Sequence, residues 1–281
     1  MESATPRTWF VTGTSSGLGR ALIEALLGDG HRVAATVRGR SRLDDLKDVY
    51  GDRLWVGDLD VTDTVALRRV VDDAFGELGR IDHVVSNAAY GLYGAAEEFT
   101  DDDIGRLLAV NLIAPIQLLR AAVPHLRRQG GGHYVQISSL AGQTGIAGAS
   151  IYHASKWGVE GFVESLHEEL APFGVGLTVV EPGSIDSDFF ARLDVASAIE
   201  AYRDGPVGAL RDYLSDRAAV KRDAIGDPRR MARAIIEAAE AAEPPRRLVL
   251  GSDAYEWIEK ALHSRLSALR SQEAAARSTN R

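Results

Sequence analysis

The stretch Thr8-Trp9-Phe10-Val11-Thr12-Gly13-Thr14-Ser15-Ser16-Gly17-Leu18-Gly19 decides the fold. Its apolar half reads as a short buried strand, and three glycines then lead into a helix running from about Gly17 to Leu27. A helix that begins straight after such a turn aims its free N–H groups and the positive end of its dipole at one point, where a phosphate is held. Gly13 permits the tight turn, Gly17 lets backbone approach a pyrophosphate, and Gly19 lets helix and strand pack closely. The spacing is G-x-x-x-G-x-G, and the cradle expected from it is Gly13, Thr14, Ser15, Ser16, Gly17, Leu18 and Gly19. The plain alternative is an ordinary glycine turn; the position directly after the first strand is what favours a ligand.

Outward from this turn, short β-branched runs alternate with helical segments. Strands are expected at Val33–Val37, Leu54 to Asp60-Val61, Ile81–Ser86, Tyr134–Ser138, Leu177–Val180 and Leu248–Leu250, making seven with the first. Helices are expected from Ser41 (as cap) to Leu46, at Asp63–Phe75, at Asp101–Leu126 with a kink at Pro115, at Ser150–Phe173, at Pro228–Ala242 and at Ala254–Leu269. Nearly continuous apolar strands alternating with helices specify an α/β fold, a parallel sheet covered on both faces. No linker divides the chain, so residues 1–281 are expected to form a single domain. The long mixed segment 184–227 interrupts the rhythm at a strand's carboxyl end, where open α/β sheets bind ligands, and is expected to be a substrate lid. The polar tail 271–281 is expected to be disordered.

Composition narrows the function. The 281 residues carry a net charge of −8, which argues against a general nucleic-acid or anionic-membrane binder. There is no Cys, so disulfides, thiolate metal sites and Cys nucleophiles are excluded. The seven His are scattered without paired helical spacing, so no metal site is expected. No apolar run approaches a membrane span and no signal peptide is visible at the N-terminus, which makes the cytoplasm the expected location.

Further motifs lie at the expected strand ends. The second strand ends in Arg38 instead of the acid that would bind a ribose 2′-hydroxyl, and Arg40 and Arg42 follow; this favours a 2′-phosphate, hence NADP, with NAD still possible. The alternative is that Arg38 is a solvated charge. Asp60, after strand three, is placed to accept from an adenine amino group, although Asp63 is the better helix cap. Ser86-Asn87-Ala88-Ala89 closes strand four with small residues that allow close approach. Tyr152 and Lys156 share a face of the helix, and a neighbouring ammonium favours the phenolate, bringing a Tyr toward acid–base strength near neutrality. Ser138 and Ser139, at the end of strand five, offer hydroxyls to a substrate oxygen.

Taken in order, Thr12-Gly13-x-x-x-Gly17-x-Gly19, Asp60-Val61, Asn87-Ala88, Asn111, Ser139, Tyr152-x-x-x-Lys156 and Pro182-Gly183 resemble the short-chain dehydrogenase/reductase family, single-domain branch, over about Thr8 to Leu250. The resemblance implies a Rossmann-like doubly wound sheet of order 3-2-1-4-5-6-7. It implies Tyr152 as general acid or base, Lys156 as binder of the nicotinamide ribose that also lowers the Tyr152 pKa, and Ser139 as partner of the substrate oxygen. Asn111 would distort its helix and admit a water to a proton relay. Asn87 and Ala88 would line the cofactor pocket with Asp60 and Val61, and Pro182, Gly183, Ile185 and Ser187 would pass beside the nicotinamide. Ala89 replaces the family's Gly, and Ser187 stands where Thr is common. The implied activity is NADP(H)-dependent interconversion of a carbonyl and an alcohol. The aromatic and aliphatic residues of 184–227 suit a small-molecule substrate of medium size and partly apolar character. The implied assembly is a homodimer or homotetramer. An epimerase or dehydratase using the same Tyr/Lys pair, and a non-catalytic NADP-binding regulator, are the rival readings.

Overall fold

The computed structural model describes residues 5–187, 189–190 and 193–280. Nine strands and eleven helices follow one another along the chain. The strands are β1 (Thr8–Thr12), β2 (Arg32–Val37), β3 (Leu54–Asp58), β4 (His83–Ser86), β5 (Leu92–Tyr93), β6 (Gly132–Ile137), β7 (Val175–Pro182), β8 (Asp194–Val195) and β9 (Arg247–Leu250). The first six helices are α1 (Gly17–Gly28), α2 (Asp44–Tyr50), α3 (Thr64–Leu78), α4 (Asp101–Leu108), α5 (Ala114–Arg128) and α6 (Ser150–Leu170). The last five are α7 (Pro206–Ser215), α8 (Arg217–Asp223), α9 (Pro228–Glu240), α10 (Ser252–Ser271) and α11 (Glu273–Ser278).

Seven strands form one parallel sheet in the order β3-β2-β1-β4-β6-β7-β9. Counting only these seven, the order is 3-2-1-4-5-6-7, the Rossmann-like arrangement expected from the sequence. Most residues of these strands are buried because both faces are covered. Alternate residues of β1 point to opposite sides: Trp9 and Val11 enter the layer formed with α1 and α9, while Phe10 enters the layer formed with α3, α5 and α6. Fully buried Leu22, Ile23, Leu26 and Leu27 fix α1 on the sheet, and each such side chain contributes about 1.5–3 kcal/mol of burial.

Four expectations need correction. The helix after Thr100 is interrupted at a π-helical turn, Ala109–Ile113, and not at Pro115. Pro115 lies in the first turn of α5, where no N–H is required of it. Ser41 caps nothing: a 3₁₀ turn at Arg40–Leu43 has Gly39 as its N-cap and leads into α2. The tail is helical over Glu273–Ser278, because Ala-rich sequence favours helix and Glu273 pairs with Arg277 one turn on. Finally, the helical segment Asp101–Arg128 contains an 18-residue window with a mean hydropathy of 1.6, long and apolar enough by length and composition to cross a membrane. Its apolar residues, among them Leu118, Leu119 and Leu126, are buried against the sheet, which is how a core helix passes the same test.

A row of histidines lies along the amino end of the sheet. His83 stacks on Trp9 at 3.9 Å between ring centroids, and His133 meets the edge of His83 at 6.2 Å. His133 also hydrogen-bonds Thr178 through Nε2 at 2.9 Å. Burial holds both rings neutral, pushing His83 down to about 3 and His133 to about 4. Both folded pKa values lie below the unfolded value near 6.5, so their contribution to stability is intact above pH 6.5 and is lost as the pH falls below it. Each ring loses at most about 1.4 kcal/mol per pH unit in that window. The thermal midpoint should therefore drop between pH 7 and pH 5, and His83→Phe, which keeps the stacking but cannot titrate, should flatten that drop. An identical pH dependence in the variant would rule out His83 as a contributor.

Candidate active site

The parallel register places the carboxyl ends of β1, β4, β6 and β7 along one edge of the sheet, and the candidate residues gather there. At the end of β1, Gly13 adopts φ +70°, and a Cβ on it would lie 2.8 Å from the Ala88 Cα. A Cβ on Gly19 would lie 2.4 Å from both the Asn87 Nδ2 and the Gly13 carbonyl oxygen. Only glycine fits either place. Asn87 completes the lock: its Nδ2 donates to the carbonyls of Thr12 (2.9 Å) and Gly13 (3.0 Å). The Thr12 hydroxyl accepts from the backbone N–H groups of Asn87 (3.0 Å) and Ala88 (3.1 Å). The Thr12 side chain is a functional contact that sequence reasoning missed, since it is local to neither strand.

The turn fits a pyrophosphate. α1 has no side-chain cap and no acid in its first turn, whereas Asp63, Thr100 and Asp227 cap α3, α4 and α9. Uncapped donors at a helix N-terminus suit an anion. Of the expected cradle, Leu18 buries its side chain in the core, and Thr14 is tied to β2, its hydroxyl (3.2 Å) and its N–H (3.3 Å) both donating to the Thr36 carbonyl. Ser15 and Ser16 are partly exposed on the rim. Gly17 faces Ser187, whose Cβ would stand 3.5 Å from an added methyl, so the residues after β7 reach the glycine turn.

Around it, Arg38 is exposed just beyond β2. Asp60 folds back in a turn of its own, its Oδ1 accepting from the Thr62 hydroxyl (2.7 Å) and N–H (2.9 Å). These bonds hold Asp60 below the usual carboxylate range, with a further contribution from the charge of Arg38. Val61 is half-buried against the core beside it. Pro182 ends β7, and the Gly183 N–H donates to the Leu250 carbonyl (2.8 Å). Ile185 bridges to Gly226.

On α6, Tyr152 and Lys156 are almost fully buried. The Lys156 Nζ lies 5.7 Å from the centre of the Tyr152 ring and donates to the Ile137 carbonyl (3.2 Å), which ties the helix to the end of β6. Ser139 follows that strand end, accepts from the Ala141 N–H (3.2 Å) and lies beside the Tyr152 phenol, where its hydroxyl favours the phenolate. Ser138 points the other way, to Glu160 (2.6 Å). Asn111 is the buried centre of the π-helical turn. Its amide donates to the Tyr90 carbonyl (2.8 Å) and its Oδ1 accepts from the Tyr90 N–H (3.1 Å). A π turn is a common local device for aiming such a side chain at a functional site.

The expected electrostatics are reversed in sign. Burial pushes Tyr152 up to about 12, while the Ser139 hydroxyl works against that rise. Burial lowers Lys156 to about 8, and the Glu160 carboxylate works against that fall. A phenol held protonated near neutrality is a proton donor, and Ser139 beside it can fix a carbonyl oxygen in place.

The wall over Tyr152 was not legible in the sequence. Tyr93 stacks on Tyr152 at 6.2 Å and Phe189 tilts against it at 6.4 Å. Both arrive through a small second sheet, in which β5 pairs with β8. The buried Glu98 carboxylate fastens this covering. It accepts from the Ile199 N–H (2.9 Å) and from Arg211 of α7 (2.8 Å), a residue more than a hundred positions away.

Comparison with known proteins agrees with this geometry. The short chain dehydrogenase family matches residues 7–197. An oxidoreductase of Botryotinia fuckeliana (strain B05.10), BOA17, is 37% identical over 257 residues, covering 91% of this chain and 92% of its own. A 3-ketodihydrosphingosine reductase of Bacteroides thetaiotaomicron is 30% identical, covering 88% of each chain. The crystal structure of a short-chain dehydrogenase from Streptomyces avermitilis superposes with a TM-score of 0.90 at 36% identity, covering 99% of both chains. A glycine turn locked to Asn87, a buried Tyr/Lys pair on one helix and relatives that match nearly end to end together make this chain a member of the short-chain dehydrogenase/reductase family of oxidoreductases.

Proposed function

We propose that this chain is an NADP(H)-preferring oxidoreductase that interconverts a carbonyl and an alcohol on a medium-sized, partly apolar substrate. The observation that carries the reading is a neutral phenol, Tyr152, beside Ser139 and enclosed by apolar and aromatic side chains. In reduction, the Ser139 hydroxyl and the Tyr152 phenol orient the carbonyl oxygen, and Tyr152 delivers its proton to that oxygen as negative charge develops there. The nicotinamide supplies, when bound, the hydride that goes to the carbonyl carbon. Lys156 holds positive charge beside the phenolate left behind. Asn111, at the π turn, holds the backbone next to this pair. In oxidation Tyr152 takes the proton back.

Arg38, Arg40 and Arg42 support NADP over NAD, because no acid ends β2 and Arg20 is already engaged by Asp45 and Glu24. Leu92, Phe99, Leu107 and Phe189 around Tyr152 support the apolar substrate, and the name of the Bacteroides relative describes ketone reduction. The segment 184–227 acts as the lid in this reading, with Phe189 over the phenol. The chain works in the cytoplasm as a homodimer or homotetramer, for which exposed Ile113 and Trp157, beside α5 and on α6, offer apolar surface.

Two measurements test the proposal. Purified protein should oxidise NADPH against a panel of ketones and aldehydes, and Tyr152→Phe should lower that rate by at least about a hundredfold while NADPH still binds. Equal turnover in the variant would remove Tyr152 from the chemistry. Arg38→Asp should move the NADPH/NADH affinity ratio toward NADH by about tenfold or more, and an unchanged ratio would sink the assignment of Arg38.

A further inference from the structure

The face of α6 that carries Tyr152 and Lys156 continues, one turn on, with Glu160. Its carboxylate is buried, where an unpaired charge is costly. Three of the segments around it supply a donor, while Glu181 of β7 faces it with like charge. Ser138, at the end of β6, donates to Oε1 (2.6 Å). Arg247 of β9 donates to Oε2 (2.7 Å) and, through the same nitrogen, to Glu181 of β7 (2.6 Å). Gln143, in the loop after Ser139, donates to Glu160 (3.4 Å) and Glu181 (3.0 Å). Arg265 of α10 donates to Gln143 (3.0 Å), and Glu164 takes the other end of Arg247 (3.0 Å). Gly142 lies so close to Glu160 that a Cβ there would overlap the carboxylate.

Two consequences follow from this placement. Ser139 sits between Ser138, bound to Glu160, and the Gly142-Gln143 turn packed on Glu160, so both ends of its loop rest on one carboxylate. Lys156, four residues before Glu160 on the same buried face, has its charged form favoured by that carboxylate against the burial that disfavours it. We infer that Glu160 is a positioning residue of the reaction: it holds the Ser139 loop against α6 and supplies the field that keeps Lys156 charged. The inference rests on the roles proposed above for Tyr152, Ser139 and Lys156.

The chain has only four lysines, Lys47, Lys156, Lys221 and Lys260, so ¹³C labelling of lysine side chains gives a spectrum in which Lys156→Arg identifies the Lys156 signal. The titration of that signal needs no substrate. In Glu160→Gln the Lys156 midpoint should fall by about half a pH unit or more, and in the turnover assay kcat should fall about tenfold with its alkaline limb moved to lower pH. Ser138→Ala removes the loop contact without touching the charge, so kcat should fall severalfold while the Lys156 midpoint stays in place. A Lys156 midpoint unmoved in Glu160→Gln overturns the field, and an unchanged kcat in Ser138→Ala overturns the loop. If Glu160→Gln does not fold, Glu160→Asp keeps the charge but draws it back from Ser138. It should lower kcat with the midpoint retained, and wild-type kcat would overturn the inference. A moved midpoint in a protein that turns over no carbonyl at all would instead refute the proposed reaction and leave the Glu160–Lys156 coupling standing.

Discussion

The contact between the β1–α1 turn and the end of β4 is the constraint on which the rest of the site depends. Asn87 can bond the Thr12 and Gly13 carbonyls only because positions 13 and 19 carry no side chain. That contact draws α1 down onto the sheet edge with its N-terminus uncapped. It also sets the distance between the glycine turn and β4, and through the parallel register the distance to β6 and the Ser139 loop. A methyl at Gly19 would collide with both partners, and the error would be passed to every strand end beyond.

Desolvation then decides the chemistry of the groups collected there. In water a Tyr and a Lys one turn apart would shift one another through charge. Here both are enclosed, and the low-dielectric surroundings favour the neutral form of each. The result is a protonated phenol and an ammonium poised near neutrality. Ser139 and Glu160 oppose these shifts from either side, the first through its hydroxyl and the second through its charge.

The same burial makes the covering part of the site. Tyr93 and Phe189 meet over Tyr152 because β5 and β8, from segments about a hundred residues apart, pair there and because Glu98 receives Arg211. A buried carboxylate with one arginine and two backbone donors is costly to break, since any partner removed leaves a charge uncompensated.

Much of this was legible in local sequence, where the physical cause is itself local. Short, nearly continuous apolar runs marked the strands, three glycines marked the turn, and four-residue spacing put Tyr152 and Lys156 on one helix face. The helical tail, the kink read at Pro115 and the carboxyl end of β3 were misjudged, because Ala-rich propensity, a single extra residue in a helical turn and the end of a strand leave little trace in hydrophobic pattern; the distortion at Asn111 was legible only through the family resemblance. Sequence alone determined the alternation of buried strands and helices and the helix face shared by Tyr152 and Lys156, while the strand order was what the family resemblance implied. Only the tertiary structure decided which serine faces Tyr152, which residues roof it, and whether charge or burial governs its proton. Those outcomes depend on groups distant in the chain, and desolvation exists only once they have packed.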